Sequence, residues 1–146
     1  MLTLRAPKPT EWAKLRRAFH SYLLELGTYG RRDDKYFDIY RTKPNHSIQV
    51  FEVENKIAGF ALLKWHPDTG THISEFSVFE DFRRDDIAFF AFKALCAQRP
   101  GRWHGQARVV GNISAFWKWS IRRTKGKIER CEKINGEILF AWQTHS

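Results

Sequence analysis

A chain of 146 residues is long enough to bury one core and short for two, so a single domain over 1–146 is expected. With 42% hydrophobic and 15% aromatic residues, the composition excludes an intrinsically disordered chain. The formal net charge of +9 directs attention to anionic partners: a phosphorylated cofactor, RNA or an acidic protein surface, although a basic surface also serves solubility alone.

The positive charge recurs at Arg83-Arg84, between Arg99 and Arg108, and between Arg122 and Lys127. Cys96 and Cys131 lack the close spacing of metal ligands and read as reduced packing residues, and His104 alone makes no metal site. The stretch MLTLRAPKPTEW has no apolar core of leader length. No run approaches the roughly 18 apolar residues of a membrane span, so a cytoplasmic protein without membrane contact is expected.

In chain order, Leu2–Arg5 reads as a short strand, Pro7 and Pro9 break it, and Thr10 can cap a helix. Trp12, Leu15, Phe19, Tyr22, Leu23 and Leu26 recur at helical spacing up to Gly27, which predicts a helix over Trp12–Leu26. A second helix is predicted over Asp34–Tyr40, capped by Asp33 or Asp34. The period then changes to that of strands. Ser47–Val53 and Lys56–Trp65 form a hairpin around Glu54-Asn55, and His72–Phe79 follows as a third strand after the turn Pro67–Gly70. Asp85–Ala97 is a helix, Trp103–Val110 a strand and Ser114–Arg123 a helix. Lys127–Ile134 and Glu137–Trp142 form a last hairpin around Asn135-Gly136, a dipeptide preferred in two-residue turns. The sum is a mixed α/β fold.

The unit from His72 to Leu95, strand then basic turn then apolar helix, gathers backbone N–H groups and a helix N-terminus at one spot, which suits an anion such as a pyrophosphate. The phrase Glu75-Phe76-Ser77-Val78 followed by Phe82-Arg83-Arg84, with Pro100-Gly101-Arg102-Trp103 and Asn112 before Phe116-Trp117 downstream, resembles the Gcn5-related N-acetyltransferase (GNAT) family over nearly the whole chain. The resemblance implies a single-domain α/β fold: a mostly antiparallel twisted sheet of about seven strands flanked by about four helices. It also implies acetyl transfer from acetyl-CoA to an amine by direct attack.

The family signature [Arg/Gln]-x-x-Gly-x-[Gly/Ala] is matched by Arg83 and Ala88 but carries Asp86 in place of its central glycine. A carboxylate about 5 Å from a phosphate charge costs about 3 kcal/mol at an effective dielectric near 20. That would weaken cofactor binding roughly a hundredfold. Either the turn Arg83, Arg84, Asp85, Asp86, Ile87 and Ala88 holds the pyrophosphate, with the arginines offsetting the aspartates, or an aspartate caps the helix and fills the anion site from within. The resemblance assigns Phe76, Ser77 and Val78 to the pantetheine arm, together with Asn112, Phe116 and Trp117.

For chemistry it implies Glu75 as base, with His72 second and Ser120 as an available hydroxyl. Family members often carry a tyrosine acid where Trp117 stands here, and an indole cannot serve as that acid. A second class of reading keeps the fold without the chemistry: a catalytically inactive binding protein whose basic surface, including Arg122–Lys127, engages a protein or nucleic acid. The acceptor amine is not specified by the residues, and the aromatic surplus is compatible with a homodimer.

Overall fold

The computed structural model describes residues 1–27, 34–108 and 113–144. The strands are β1 (Leu2–Arg5), β2 (His46–Val53), β3 (Lys56–His66), β4 (Gly70–Val78), β5 (Arg102–Arg108), β6 (Lys127–Ile134) and β7 (Glu137–Gln143). The helices are α1 (Trp12–Leu26), α2 (Asp34–Thr42), α3 (Ile87–Gln98) and α4 (Ile113–Arg123), with 3-10 turns at Pro9–Glu11 and Glu80–Phe82. The predicted order holds throughout, and the ends differ by a few residues at most. Of the predicted strand Trp103–Val110, the last two residues lie outside the described residues, as does Asp33.

The seven strands form one sheet in the order β1-β2-β3-β4-β5-β7-β6, antiparallel except between β4 and β5. β3 lies well inside it and is buried without interruption from Ile57 to Leu63, as expected of a strand covered on both faces. On one face α1 and α2 close a cluster built on Leu15, Phe19, Leu23, Phe37, Phe60 and Leu62. On the other, α3 and α4 cover a larger one that includes Phe51, Phe92, Trp103, Trp117, Phe140 and Trp142. Trp103 and Trp142 are stacked with centroids 6.2 Å apart and are almost fully buried.

α1 buries Leu15, Phe19 and Leu23, one stripe at the helical period. It ends where Gly27 turns left-handed at φ 70°, a conformation glycine reaches without penalty. Its start differs from expectation. Thr10 lies inside the 3-10 turn and makes no cap; the Glu11 carboxylate instead accepts from the Lys8 N–H at 2.7 Å and from Arg5.

Two departures from regular pairing shape the middle of the sheet. β3 pairs Leu62 with Glu75 but Leu63 with Ile73, so Ser74 is an extra residue bulged out of β4. The bulge shifts the alternation of the strand: Ile73, Phe76 and Val78 join the α3 side, while Ser74 and Glu75 both bond to tyrosines of α1 and α2. At Gly59, a Cβ would stand 2.2 Å from the Ser77 carbonyl oxygen and 2.9 Å from the Val78 Cα, both backbone atoms that cannot swing aside. Gly59→Ala is expected to destabilise the protein by about 1–3 kcal/mol. The measurement is a lowered urea midpoint at an unchanged denaturant slope.

Candidate active site

β4 and β5 pair only at Thr71–Trp103, His72–His104 and Ile73–Gly105. Beyond that, β4 stays bonded to β3 as far as Val78, and β5 to β7 as far as Arg108. The two halves of the sheet therefore part, leaving a cleft of about 550 Å³. Toward α1 it is lined by Tyr22, Glu25, Ser74, Glu75, Gln106 and Glu137, and toward α3 and α4 by Phe76, Val78, Ala88, Ala107, Phe116 and Trp117. Trp117 packs against the bare face of Gly105, where a Cβ would come 2.8 Å from the indole. It thus fills the side of β5 at the point of divergence.

The backbone contributes to the cleft as well. Phe79 N–H donates to Ala58 C=O at 2.7 Å. Antiparallel parity then turns the polar groups of Ser77 and Glu75 to β3 and those of Phe76 and the Val78 N–H to the gap. Of the expected trio, Ser77 spends its backbone on the sheet.

Glu75 is 3% exposed. Tyr22 donates to its Oε1 at 3.1 Å and Tyr36 to its Oε2 at 2.9 Å. Burial, reinforced by the neighbouring Glu75 carboxylate, holds the Tyr36 phenol far above its ordinary value. Next to it, the Tyr40 and Ser74 hydroxyls are 2.7 Å apart. In the sequence these tyrosines read only as apolar-face positions of helices. Their polar tips are what the periodicity does not reveal.

At the turn, Arg83 is committed to the protein itself. Its Nε donates to Val78 C=O at 2.7 Å, and its terminal nitrogens form a two-pronged pair with Glu25 of α1 at 2.9 and 2.6 Å. The ion pair lowers the Glu25 carboxyl below its usual range and raises the guanidinium. Arg84 lies beside Asp85 at 3.7 Å and over the Phe82 ring. α3 starts at Ile87, two residues later than predicted, because Asp85 and Asp86 are both left-handed at φ 54° and 57°.

Asp86 occupies the capping position yet makes no side-chain capping bond. Its carboxylate leans instead toward Arg123 at 3.6 Å, a guanidinium also stacked on Phe89 and Trp119 at 4.3 and 4.8 Å. The expectation that an aspartate fills the anion site from within fails on this geometry. Among the described residues, the N–H groups of Ala88 and Phe89 meet no acceptor.

The remaining candidates are scattered. Phe116 touches Phe76 and Phe92 and lines the cleft. Ser120 is fully buried in α4 and is not among the lining residues, and Asn112 lies outside the described residues. Ile87 is buried under the turn. Cys96 is buried, which pushes its thiol up to about 12 and leaves it unreactive, while Cys131 is exposed. No group of three metal-binding side chains occurs among the described residues, nor does any helix there have the length and apolarity to cross a membrane.

The acetyltransferase (GNAT) family profile matches residues 11–110. The chain belongs to this family. The match spans both helices of the first half, the bulged strand, the turn, α3 and all of β5. No curated protein matches the sequence. Among solved structures, a GNAT-family acetyltransferase from Bacillus cereus aligns over 100% of this chain and 99% of its own at 14% identity, with a TM-score of 0.71. The ribosomal-protein-S18-alanine N-acetyltransferase of Escherichia coli covers 100% and 96% at 11% identity and a TM-score of 0.68. A GNAT-family acetyltransferase from Elizabethkingia anophelis, solved with acetyl-CoA bound, covers 97% of each chain at 15% identity and a TM-score of 0.61. At these identities the likeness establishes the GNAT fold.

His72 sits at the closed end of the fork, its Nδ1 2.7 Å from Nδ1 of His104 across the strand pair. Burial, then His104 and Lys64, push the His72 imidazole down to about 3. Burial and Lys64 lower His104 too. A folded-state value below the ordinary 6.5 means that the folded protein binds fewer protons than the unfolded chain. The associated stability is complete above about pH 6.5 and drains away as pH falls toward about 3. Between about pH 7 and about pH 5 the loss should be on the order of 1–2 kcal/mol, and His72→Gln should flatten it. Urea midpoints at the two pH values measure both.

Proposed function

We propose that the protein transfers an acetyl group from acetyl-CoA to a primary amine by direct attack, with Glu75 as the base. The observation that carries this reading is the buried Glu75 carboxylate facing a cleft that runs to the N-terminus of α3. The family supports the activity, and the residues present fit the cofactor. The cleft side toward α3 and α4 is apolar, as a pantetheine arm requires, and the gap-facing N–H and C=O of Phe76 and the Val78 N–H match its amides. The N–H groups of Ala88 and Phe89, at the positive end of α3, suit a pyrophosphate. Arg84 is the more exposed of the two cations of the turn, and Arg123 offsets Asp86. Bound acetyl-CoA supplies an activated acyl carbon.

Glu75 and Glu137, with Glu25 already paired to Arg83, make the other side of the cleft acidic on an otherwise basic protein, which favours an acceptor arriving as an ammonium ion. Glu75 takes a proton from that ammonium, so that the neutral nitrogen attacks the acyl carbon. Phe76 N–H polarises the acyl oxygen. Neither Trp117 nor buried Ser120 offers the thiolate a proton from within the cleft, so that proton comes from water or from the outgoing amine.

Acetyl-CoA at millimolar concentration should raise the melting temperature, because a ligand of the native state stabilises in proportion to occupancy. Absence of a shift would favour the binding-protein reading and refute this one. Glu75→Gln should keep the shift and lower kcat by about 10²–10³-fold. The readout is thiol release with glycinamide, Nα-acetyl-lysinamide, spermidine and an alanyl peptide as acceptors. Asp86→Gly should tighten acetyl-CoA binding by up to about tenfold. That is less than the bare Coulomb term implies, since Arg123 already shares the charge and both side chains are solvated. Isothermal titration of the variant against the parent gives the ratio.

A further inference from the structure

Resting on the acyl-transfer reading, we propose that Tyr22 and Tyr36 are positioning residues of the reaction: their phenols keep the buried Glu75 carboxylate ionised and aimed, so that it is a base at neutral pH. The difficulty they meet is physical. Glu75 is 3% exposed, and a carboxyl removed from water favours its neutral form. A neutral carboxyl takes no proton from an ammonium ion.

The remedy comes from two helices. Tyr22 of α1 donates to Oε1 at 3.1 Å, and Tyr36 of α2 donates to Oε2 at 2.9 Å. Hydrogen bonds donated to the ionised form favour that form. Each carboxylate oxygen has two lone pairs, so one phenol on each leaves acceptor capacity for an ammonium in the cleft that Glu75 lines. A donor on each oxygen also fixes the rotation of the carboxylate. Tyr36 remains a donor throughout, because burial, then the Glu75 charge, hold its phenol far above its ordinary value.

The rings are built in for this role. Phe19 is fully buried and stacked with both, its centroid 6.1 Å from that of Tyr22 and 5.9 Å from that of Tyr36. Phe60 of β3 crosses Tyr22 edge-on at 5.9 Å. The apolar cluster thus sets where the phenols end, and the bulge at Ser74 brings Glu75 to the same face. Among the described residues, the other charged groups lining the cleft are Glu25, Arg83 and Glu137. Glu25 and Arg83 neutralise each other, and Glu137 is a like charge that opposes ionisation of Glu75. β3 presents Leu62 opposite Glu75, and β5 contributes the neutral Gln106. Tyr40 of α2 meets Ser74, and His72 of β4 meets His104.

Tyr22→Phe, Tyr36→Phe and the double variant remove only oxygen and keep the rings. The ionisation is read in the free protein from the ¹³C signals of carboxyl-labelled glutamate, that of Glu75 being the one missing from Glu75→Gln. Its titration midpoint should rise by about one pH unit in each single variant and further in the double one, since a hydrogen bond to a charged group changes proton affinity by about tenfold or more. Steady-state transfer to glycinamide, Nα-acetyl-lysinamide, spermidine and the alanyl peptide reads the function. The acid limb of kcat/KM for the amine should move up with the midpoint, activity lost near about pH 6 should return at higher pH, and KM for acetyl-CoA should stay at the parental value. A midpoint and an acid limb left in place by all three variants would overturn the role of the phenols while leaving acyl transfer standing, and so would a loss equal at every pH. A parent that binds acetyl-CoA but releases no thiol with any of the four amines would overturn acyl transfer and, with it, the role of the phenols in the reaction.

Discussion

The parting of β4 from β5 after Ile73 and Gly105 is the constraint on which the rest of this structure depends. Two parallel strands that stayed paired would bury their edges and leave no cleft. Here each keeps its other neighbour, so the sheet divides without unravelling. The division is held open from both sides of the polypeptide. The bulge at Ser74 breaks the rhythm of β4, and Trp117 lies on the bare face of Gly105. Because a bulge changes which face a residue occupies, it also determines that the carboxylate of Glu75 meets phenols rather than the apolar cluster under α3.

Charge is distributed against the grain of the composition. The chain is strongly basic, yet one side of its cleft carries carboxylates, and Arg83, which lines the cleft, is occupied by Glu25. That pair joins α1 to the segment leading into α3, and α1 also supplies Tyr22 to Glu75. The carboxylate and the turn before α3 are therefore tied to the same helix.

The architecture was legible because its signals are local. Helical periodicity bounded α1 to the residue, and Asn135-Gly136 marked the last hairpin. The family resemblance rested on short phrases spread from Glu75 to Trp117 and on the order of the elements, and it carried through. The site was legible only in part. Glu75 was singled out, but its partners Tyr22 and Tyr36 are 53 and 39 residues away, and nothing at short range distinguishes a core tyrosine from one whose hydroxyl meets a buried acid. Arg83 pairs across 58 residues with Glu25, a partner that neither the phosphate reading nor pairing with the adjacent aspartates could name from the residues around the turn. The capping expectation for Asp86 relied on a general preference of the residue type, which left-handed backbone at two successive positions overrides by aiming the side chain elsewhere.

Those left-handed aspartates also bear on economy of rate. The left-handed conformation costs a non-glycine residue on the order of 1 kcal/mol, and Asp86 sits far from Glu75 in the chemistry while close to where a pyrophosphate would lie. On the acyl-transfer reading, a charge at that position weakens ground state and transition state alike. Such uniform weakening raises the acetyl-CoA concentration at half-saturation and leaves the chemical barrier untouched. The substitution at the turn is then a setting of cofactor demand: it decides how much acetyl-CoA must be present before the protein works, rather than how fast it works once supplied.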